Sequence, residues 1–296
     1  MEHQKRLLIS LAHPDDESFG LGGLIAKYVA EGVEVYYLCA TNGEVGTVMT
    51  EHMNSYNSVA ELRLAELACA SQILGFKEVF TLNYKDSGMM NTESNLDPAS
   101  LWYNWNHQTE SVLHKVVNIV RQIRPQVIIT FNRYGGYGHP DHIAIQQATT
   151  KAFHLAGDKS YSPGDLPAYQ PQKLYYSGVL KMYLWLGIMQ ARLKRQNPRQ
   201  LGRNNDIDLL EILNRIEPAH TTVDVSNYLE IWARASACHV SQGGGTGGFV
   251  PLWLRRLIGR QQRLTRVVPA PQSNRIDEYD LFNGVHYGDE RITTLS

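Results

Sequence analysis

The stretch that decides the fold is Leu7-Leu8-Ile9-Ser10-Leu11-Ala12-His13-Pro14-Asp15-Asp16-Glu17. A short apolar run reads as a strand buried on both faces, and it ends abruptly in a histidine, a proline and three carboxylates. The chain repeats the device far downstream. Gln126-Val127-Ile128-Ile129-Thr130-Phe131 is a second apolar run, followed by a loop and then by His139-Pro140-Asp141-His142. Strands that deliver polar clusters at their carboxyl ends are the arrangement by which open α/β sheets build ligand sites.

Working outward, strand and helix patterns alternate through the first half. Residues 6–12, 33–40, 79–82 and 126–131 read as strands, and residues 19–31, 55–74 and 110–123 as helices. Gly32 and Gly75 supply stop signals, and Arg124-Pro125 ends the third helix. A further helix starts at His139-Pro140-Asp141 and runs to about residue 156. Beyond it the pattern loosens: strands at 173–177 and 221–225, and helices at 179–194, 206–216 and 226–240. The expected fold is α/β, a Rossmann-like, mostly parallel sheet flanked by helices, with a smaller C-terminal α+β cap. Residues 1–160 form the core carrying the metal-hydrolase motifs, and residues 161–296 complete the fold and the substrate pocket.

Composition narrows the function classes. At 296 residues the chain can bury a large core, and 28 basic against 29 acidic residues give no bulk attraction to nucleic acid or to an anionic membrane. The N-terminus has no signal-peptide pattern. The most membrane-like stretch, residues 174–189, is short and interrupted by Lys181, so no integral membrane segment is expected. Cys39, Cys69 and Cys238 are odd in number and widely spaced; Cys39 and Cys69 read as buried thiols in a reducing compartment, and the expected location is cytoplasmic. Residues 249–268 hold five arginines among Trp253, Leu254, Leu257, Ile258 and Leu264. They read as a C-terminal helix with a solvated face or as a lid after the glycine run at 243–248, in preference to a membrane-surface helix.

The two polar clusters combine into one site. His13, Asp16 and His142 are candidate metal ligands: two imidazoles and a carboxylate suit zinc, with a position left open for water, and also admit another divalent metal such as Fe2+. Alone, residues 13–16 read as a turn whose aspartates cap the following helix; the second histidine motif favours the metal reading. Asp15 remains as a carboxylate able to act as general base. His139, held by Asp141, is a candidate imidazolium that stabilises a developing oxyanion.

His13-Pro14-Asp15-Asp16-Glu17 with His139-Pro140-Asp141-His142 resembles the PIG-L/LmbE-like zinc-dependent N-acetylglucosaminyl deacetylases. Thr41-Asn42-Gly43-Glu44-Val45-Gly46 is similar to that family's Thr-x-Gly-Glu-x-Gly loop, and Leu62-Arg63 with Glu66-Leu67 to its arginine-bearing helix. Asp86-Ser87-Gly88-Met89 and Gly135-Gly136-Tyr137-Gly138 look closest to the mycothiol-pathway deacetylase and conjugate amidase branch. In the C-terminal part only Thr221-Thr222-Val223-Asp224-Val225 and His239-Val240-Ser241-Gln242 continue the likeness. The resemblance implies zinc on His13, Asp16 and His142, and Asp15 as the base that activates zinc-bound water. It implies His139, oriented by Asp141, at the tetrahedral intermediate or the leaving amine. It implies Tyr137 at the acetyl carbonyl, and Arg63 and Asp86 on the sugar or its aglycone. Each minor role has a structural competitor: Arg63 pairing with Glu66 on a helix face, Tyr137 packing over the glycines, Asp86 forming a turn. The implied substrate is a small N-acetylated amino sugar, and a homo-oligomer is compatible with the sequence. The alternatives are an amidase cleaving a thiol-conjugate amide and a non-catalytic carbohydrate-binding protein.

Overall fold

A computed structural model describes residues 4–53, 55–202, 204–244 and 259–287. Among them seven strands form one sheet: β1 Arg6–Leu11, β2 Glu34–Thr41, β3 Glu78–Tyr84, β4 Val127–Thr130, β5 Lys173–Ser177, β6 Thr221–Asp224 and β7 Gln261–Val268. Their spatial order is β3-β2-β1-β4-β5-β7-β6. The first five are parallel, whereas β7 runs antiparallel to both β5 and β6. Leu7, Leu8, Ile9, Val35, Tyr37, Val127, Ile128 and Ile129 are fully buried, as expected for central strands covered on both faces.

The helices are α1 Asp16–Gly20, α2 Gly22–Ala30, α3 Val59–Leu74, α4 Leu101–His107, α5 Thr109–Ile123, the distorted turn α6 Gly135–Gly138, α7 Pro140–Leu155, α8 Lys181–Leu193, α9 Leu209–Asn214 and α10 Leu229–Cys238. Chain order explains the layers. From β1 the chain moves to β2 and β3, then returns to β4 on the other side of β1. With right-handed crossovers, α2 and α3 cover one face while α4, α5 and α7 cover the other. The reversal opens a crevice between the ends of β1 and β4, where residues 13–16 and 135–142 emerge.

Four expectations need correction. The single helix at 19–31 is broken at Leu21, whose φ of −128° is not helical, and Gly22 and Gly23 after it lie against the Trp232 ring of α10, where a Cβ would collide. The C-terminal strands are not a separate layer: β5, β7 and β6 extend the main sheet, fastened by buried Glu278, which pairs with Lys173 and accepts from Tyr175 Oη and Thr221 Oγ1, each at 2.6 Å. Residues 261–268, expected in a helix or lid, form β7; Thr265, Val267 and Val268 are β-branched, and the strand is fixed by partners distant in sequence. Residues 249–258 of that segment and residues 245–248 of the glycine run lie outside the described residues. Finally, Cys69 and Cys238 form a disulfide across 169 residues, with Cα atoms 5.9 Å apart, while Cys39 is a buried thiol as expected.

Candidate metal centre and active site

Pro14 and the two aspartates turn the chain sharply after β1. The His13 backbone N–H donates to Asp16 Oδ2 at 2.7 Å, and Tyr37 Oη donates to the His13 carbonyl at 2.8 Å. Asp15 sits at φ 138°, a region L-residues rarely occupy. The strain falls on the residue expected to act as base, a pattern found where surroundings over-determine a functional conformation.

Hydrogen bonding fixes the ring tautomers. His142 Nδ1 lies 3.1 Å from the Gly135 carbonyl, which only accepts, so Nδ1 carries the proton and Nε2 a lone pair. His13 Nε2 lies 3.3 Å from Asp141 Oδ2 and 3.6 Å from Asp86 Oδ1, so Nε2 carries a proton; against burial, Asp86, Asp141 and Asp16 raise the ring's pKa, and Nδ1 is the nitrogen left to face a metal. His13 Nδ1 and His142 Nε2 face each other 3.0 Å apart. Asp16 closes the triangle, Oδ2 at 3.5 Å from His13 Nδ1 and Oδ1 at 3.4 Å from His142 Nε2. Two ring nitrogens and a carboxylate meeting at such distances need a proton or a cation between them, and edges of this length match a tetrahedron with bonds of about 2.1 Å. The outer nitrogen of each ring is held by a carboxylate or carbonyl, the usual support of a metal-bound histidine. The site is therefore able to bind a metal.

His139 also lies within metal-binding distance of His13 and His142. Its Nδ1, however, accepts from the Asp141 backbone N–H at 3.2 Å, capping α7. Its Nε2 therefore carries a proton and offers a donor. Burial, then the neighbouring His13, push its pKa down to about 3. This differs from the expected imidazolium: the Asp141 carboxylate is engaged by the Ser87 N–H at 2.8 Å, by Ser87 Oγ and by His13, and orients His139 only through its backbone.

The remaining residues converge on the same crevice. Asp15 Oδ2 pairs with Arg63 Nη2 at 2.9 Å. Burial pushes its carboxyl up to about 7, against the pull of Arg63. Arg63, itself buried, also donates to the carbonyls of Pro14 at 2.6 Å and Gly43 at 3.0 Å. It makes no pair with Glu66. Gly43 and Gly46 leave room for it: a Cβ on Gly46 would stand 2.9 Å from Nη1 and one on Gly43 would overlap the guanidinium, which gives the Thr-x-Gly-Glu-x-Gly pattern a physical reason. Asp86 lies 3.8 Å from His139 Nε2; burial opposes its ionisation, but His13 holds it far below the usual carboxylate range. Tyr137 meets His142 edge-on, ring centres 5.0 Å apart. Gly135 must be glycine, with φ 66° and a would-be Cβ 2.9 Å from the His142 Cβ.

Glu17, read from the sequence as support for the helix entry, has a partner in His239 that the sequence did not assign. Glu17, fully buried, accepts from the Asp15 backbone N–H at 3.0 Å, from Ser18 Oγ at 2.6 Å and from His239 Nε2 at 2.7 Å. His239 is equally buried. Next to it, Ser241 donates through N and Oγ to Glu66 of α3 at 2.8 and 2.7 Å. The only sequence signal for this brace is the polar run His239-Val240-Ser241-Gln242.

The sheet switch point with its histidine–carboxylate cluster defines an α/β protein with a site able to bind a metal. The profile of the PIG-L family, described as GlcNAc-PI de-N-acetylase, matches residues 8–153. A protein named 1D-myo-inositol 2-acetamido-2-deoxy-alpha-D-glucopyranoside deacetylase from Geodermatophilus obscurus is 33% identical over 262 residues, covering 85% of this chain and 87% of its own. The chain belongs to the PIG-L family and is a hydrolytic N-deacetylase of that group. In structure it is similar to N,N'-diacetylchitobiose deacetylase from Pyrococcus horikoshii, at TM-score 0.57 and 19% identity over 90% of this chain and 85% of that one. It is equally similar to the 4-carboxy-2-hydroxymuconate hydratase GalB from Pseudomonas putida, at TM-score 0.57 and 16% identity over 91% and 99%. The fold thus hosts unlike chemistries, and the activity has to be argued from the site.

Proposed function

We propose that this chain removes the acetyl group from the amide nitrogen of a small N-acetylglucosaminide, with an inositol-linked glucosaminide as the substrate class suggested by the names of its relatives. The observation that carries the reading is the meeting of His13 Nδ1 and His142 Nε2 at 3.0 Å beside Asp16, with a strained, arginine-paired Asp15 next to them. Zinc held by His13, Asp16 and His142 would serve as a Lewis acid toward the acetamide carbonyl and would acidify water.

The protein's own groups then have distinct tasks. Asp15 takes a proton from the attacking water, and its burial keeps it basic enough to do so. Its pairing with Arg63 fixes where the carboxylate points. His139, neutral, offers Nε2–H to the carbonyl oxygen as charge develops there, and Tyr137 lines the same side. Asp141 holds His13 and the Ser87 turn, and Asp86 faces the histidines where a sugar hydroxyl would reach it. As the C–N bond breaks, the proton passes to the departing nitrogen, giving acetate and a free amine.

The test is product release from the inositol glucosaminide by protein stripped with a chelator and reloaded with Zn2+ or Fe2+. Acetate should appear only with reloaded protein. Release of a larger acid from a thiol-conjugate amide, without acetate, would instead identify an amidase. Full turnover by demonstrably metal-free protein would overturn the metal assignment.

A further inference from the structure

Helix α8 is apolar on two opposite faces. Leu184, Ile188 and Ala191 are buried against Leu209 and Ile212 of α9, in a cluster that also holds Tyr134 and Tyr137. On the other side, Met182, Trp185, Met189 and Leu193 are exposed by 48%, 57%, 57% and 80%. Their spacing of three, four and four residues sets them in one stripe along the helix. Single exposed apolar residues are ordinary, but four large ones in line on one helix mark an interaction surface.

The charges around the stripe identify its partner. Between Asp165 and Asp206 the chain carries no acidic residue. Lys181, Arg192, Lys194 and Arg195 are exposed at the two ends of the helix, and among the described residues none has an acidic partner; Arg199, just beyond, is paired with Asp208. Thirteen residues make a helix about 20 Å long, shorter than the hydrocarbon core of a bilayer, so it can lie on a membrane but not cross one. An apolar stripe with an amphipathic tryptophan, flanked only by cations, is the pattern of a helix lying in the plane of a lipid interface. A second copy of the chain fits less well, because a two-fold contact through this stripe would set the same cations against each other.

We propose that the outer face of α8 docks the protein on an anionic lipid bilayer, with Met182, Trp185, Met189 and Leu193 in the acyl boundary and the flanking cations at the headgroups. Tyr137 packs into the cluster beneath α8, so the docked helix lies one layer from the active site.

Co-sedimentation with phosphatidylcholine vesicles, with and without about one-third phosphatidylglycerol at about 0.15 M salt, tests this. Wild-type protein should partition at least tenfold more strongly onto the anionic vesicles, and raising the salt should weaken that binding. Trp185→Ser with Met189→Ser should reduce partition at least tenfold while leaving hydrolysis of a soluble substrate unchanged. Lys181→Glu with Arg192→Glu, which spares the apolar stripe, should remove the preference for anionic lipid, so the proposal stays testable if the first variant folds poorly. Wild-type protein remaining in the supernatant, or charge-reversed protein binding as before, would overturn the proposal. So would a concentration-dependent dimer that the Trp185→Ser variant dissociates, since the stripe would then belong to a second copy.

Discussion

The turn at residues 13–17 and the segment at residues 238–241 meet in the folded protein, yet they carry different kinds of information. The turn holds reactive groups in consecutive positions, and local geometry alone brings His13, Asp15 and Asp16 to one crevice. The distant segment holds nothing that reaches the crevice. Its residues grip the turn and α3 from behind: His239 on Glu17, Ser241 on Glu66, and Cys238 bonded to Cys69. Chemistry here is written locally and its support non-locally. The support matters because Asp15 sits in a backbone conformation that needs holding, and Glu17 accepts its N–H.

The sharpest way to break this division is at Asp15. Asp15→Asn keeps the shape but cannot accept the proton, so turnover should fall by about 10²- to 10⁴-fold. Metal content should stay near the wild-type level, because His13, Asp16 and His142 remain. Loss of the metal along with activity would mean that Asp15 is a ligand. Turnover within tenfold of wild type would mean that the base lies elsewhere.

A smaller effect is expected from the support. His239→Ala removes one of the three donors to the buried Glu17 carboxylate and loosens the Asp15 turn, and kcat should drop by about 10- to 100-fold, the usual cost of losing an outer support of a metal site. KM and metal content should change little. His239→Gln, whose amide can donate to Glu17, should restore most of the loss. If Ala and Gln variants were equally impaired, or if Ala were active within a factor of about two, His239 would not be positioning the turn.

The same division explains what could be read in advance. The strand at 173–177 was legible to the residue, and the helix at 55–74 had its stop at Gly75 and missed only its start, which Ser58 caps by accepting from the Glu61 N–H at 3.1 Å. These rest on short-range signals. The meeting of His13, Asp16 and His142 was legible because two of them directly follow β1 and the third lies one loop beyond β4. What escaped was set by residues far apart in sequence. Arg63 lies on a helix face that gives no hint of its partner Asp15, 48 positions away. Strand β7 exists because β5 and β6 flank it. The burial that lowers the His139 pKa is likewise set by residues far apart in sequence, and no motif shows it.

The smallest expected change in activity, and the cleanest separation of support from chemistry, comes from the disulfide. It closes a long loop, so Cys69→Ser with Cys238→Ser should lower stability by about 2–4 kcal/mol, visible as an earlier denaturant midpoint at an unchanged slope. Two contacts would still tie the segment to its targets, Glu17 with His239 and Glu66 with Ser241. Turnover at low temperature should therefore stay within about twofold of wild type, since the hydrogen bonds rather than the sulfurs touch the Asp15 turn. If turnover instead fell in step with the His239→Ala variant, the covalent link would be the element that positions the turn, and the two hydrogen-bonded contacts would merely follow it. A disulfide variant with wild-type stability would show that the bond adds nothing to a brace already complete without it.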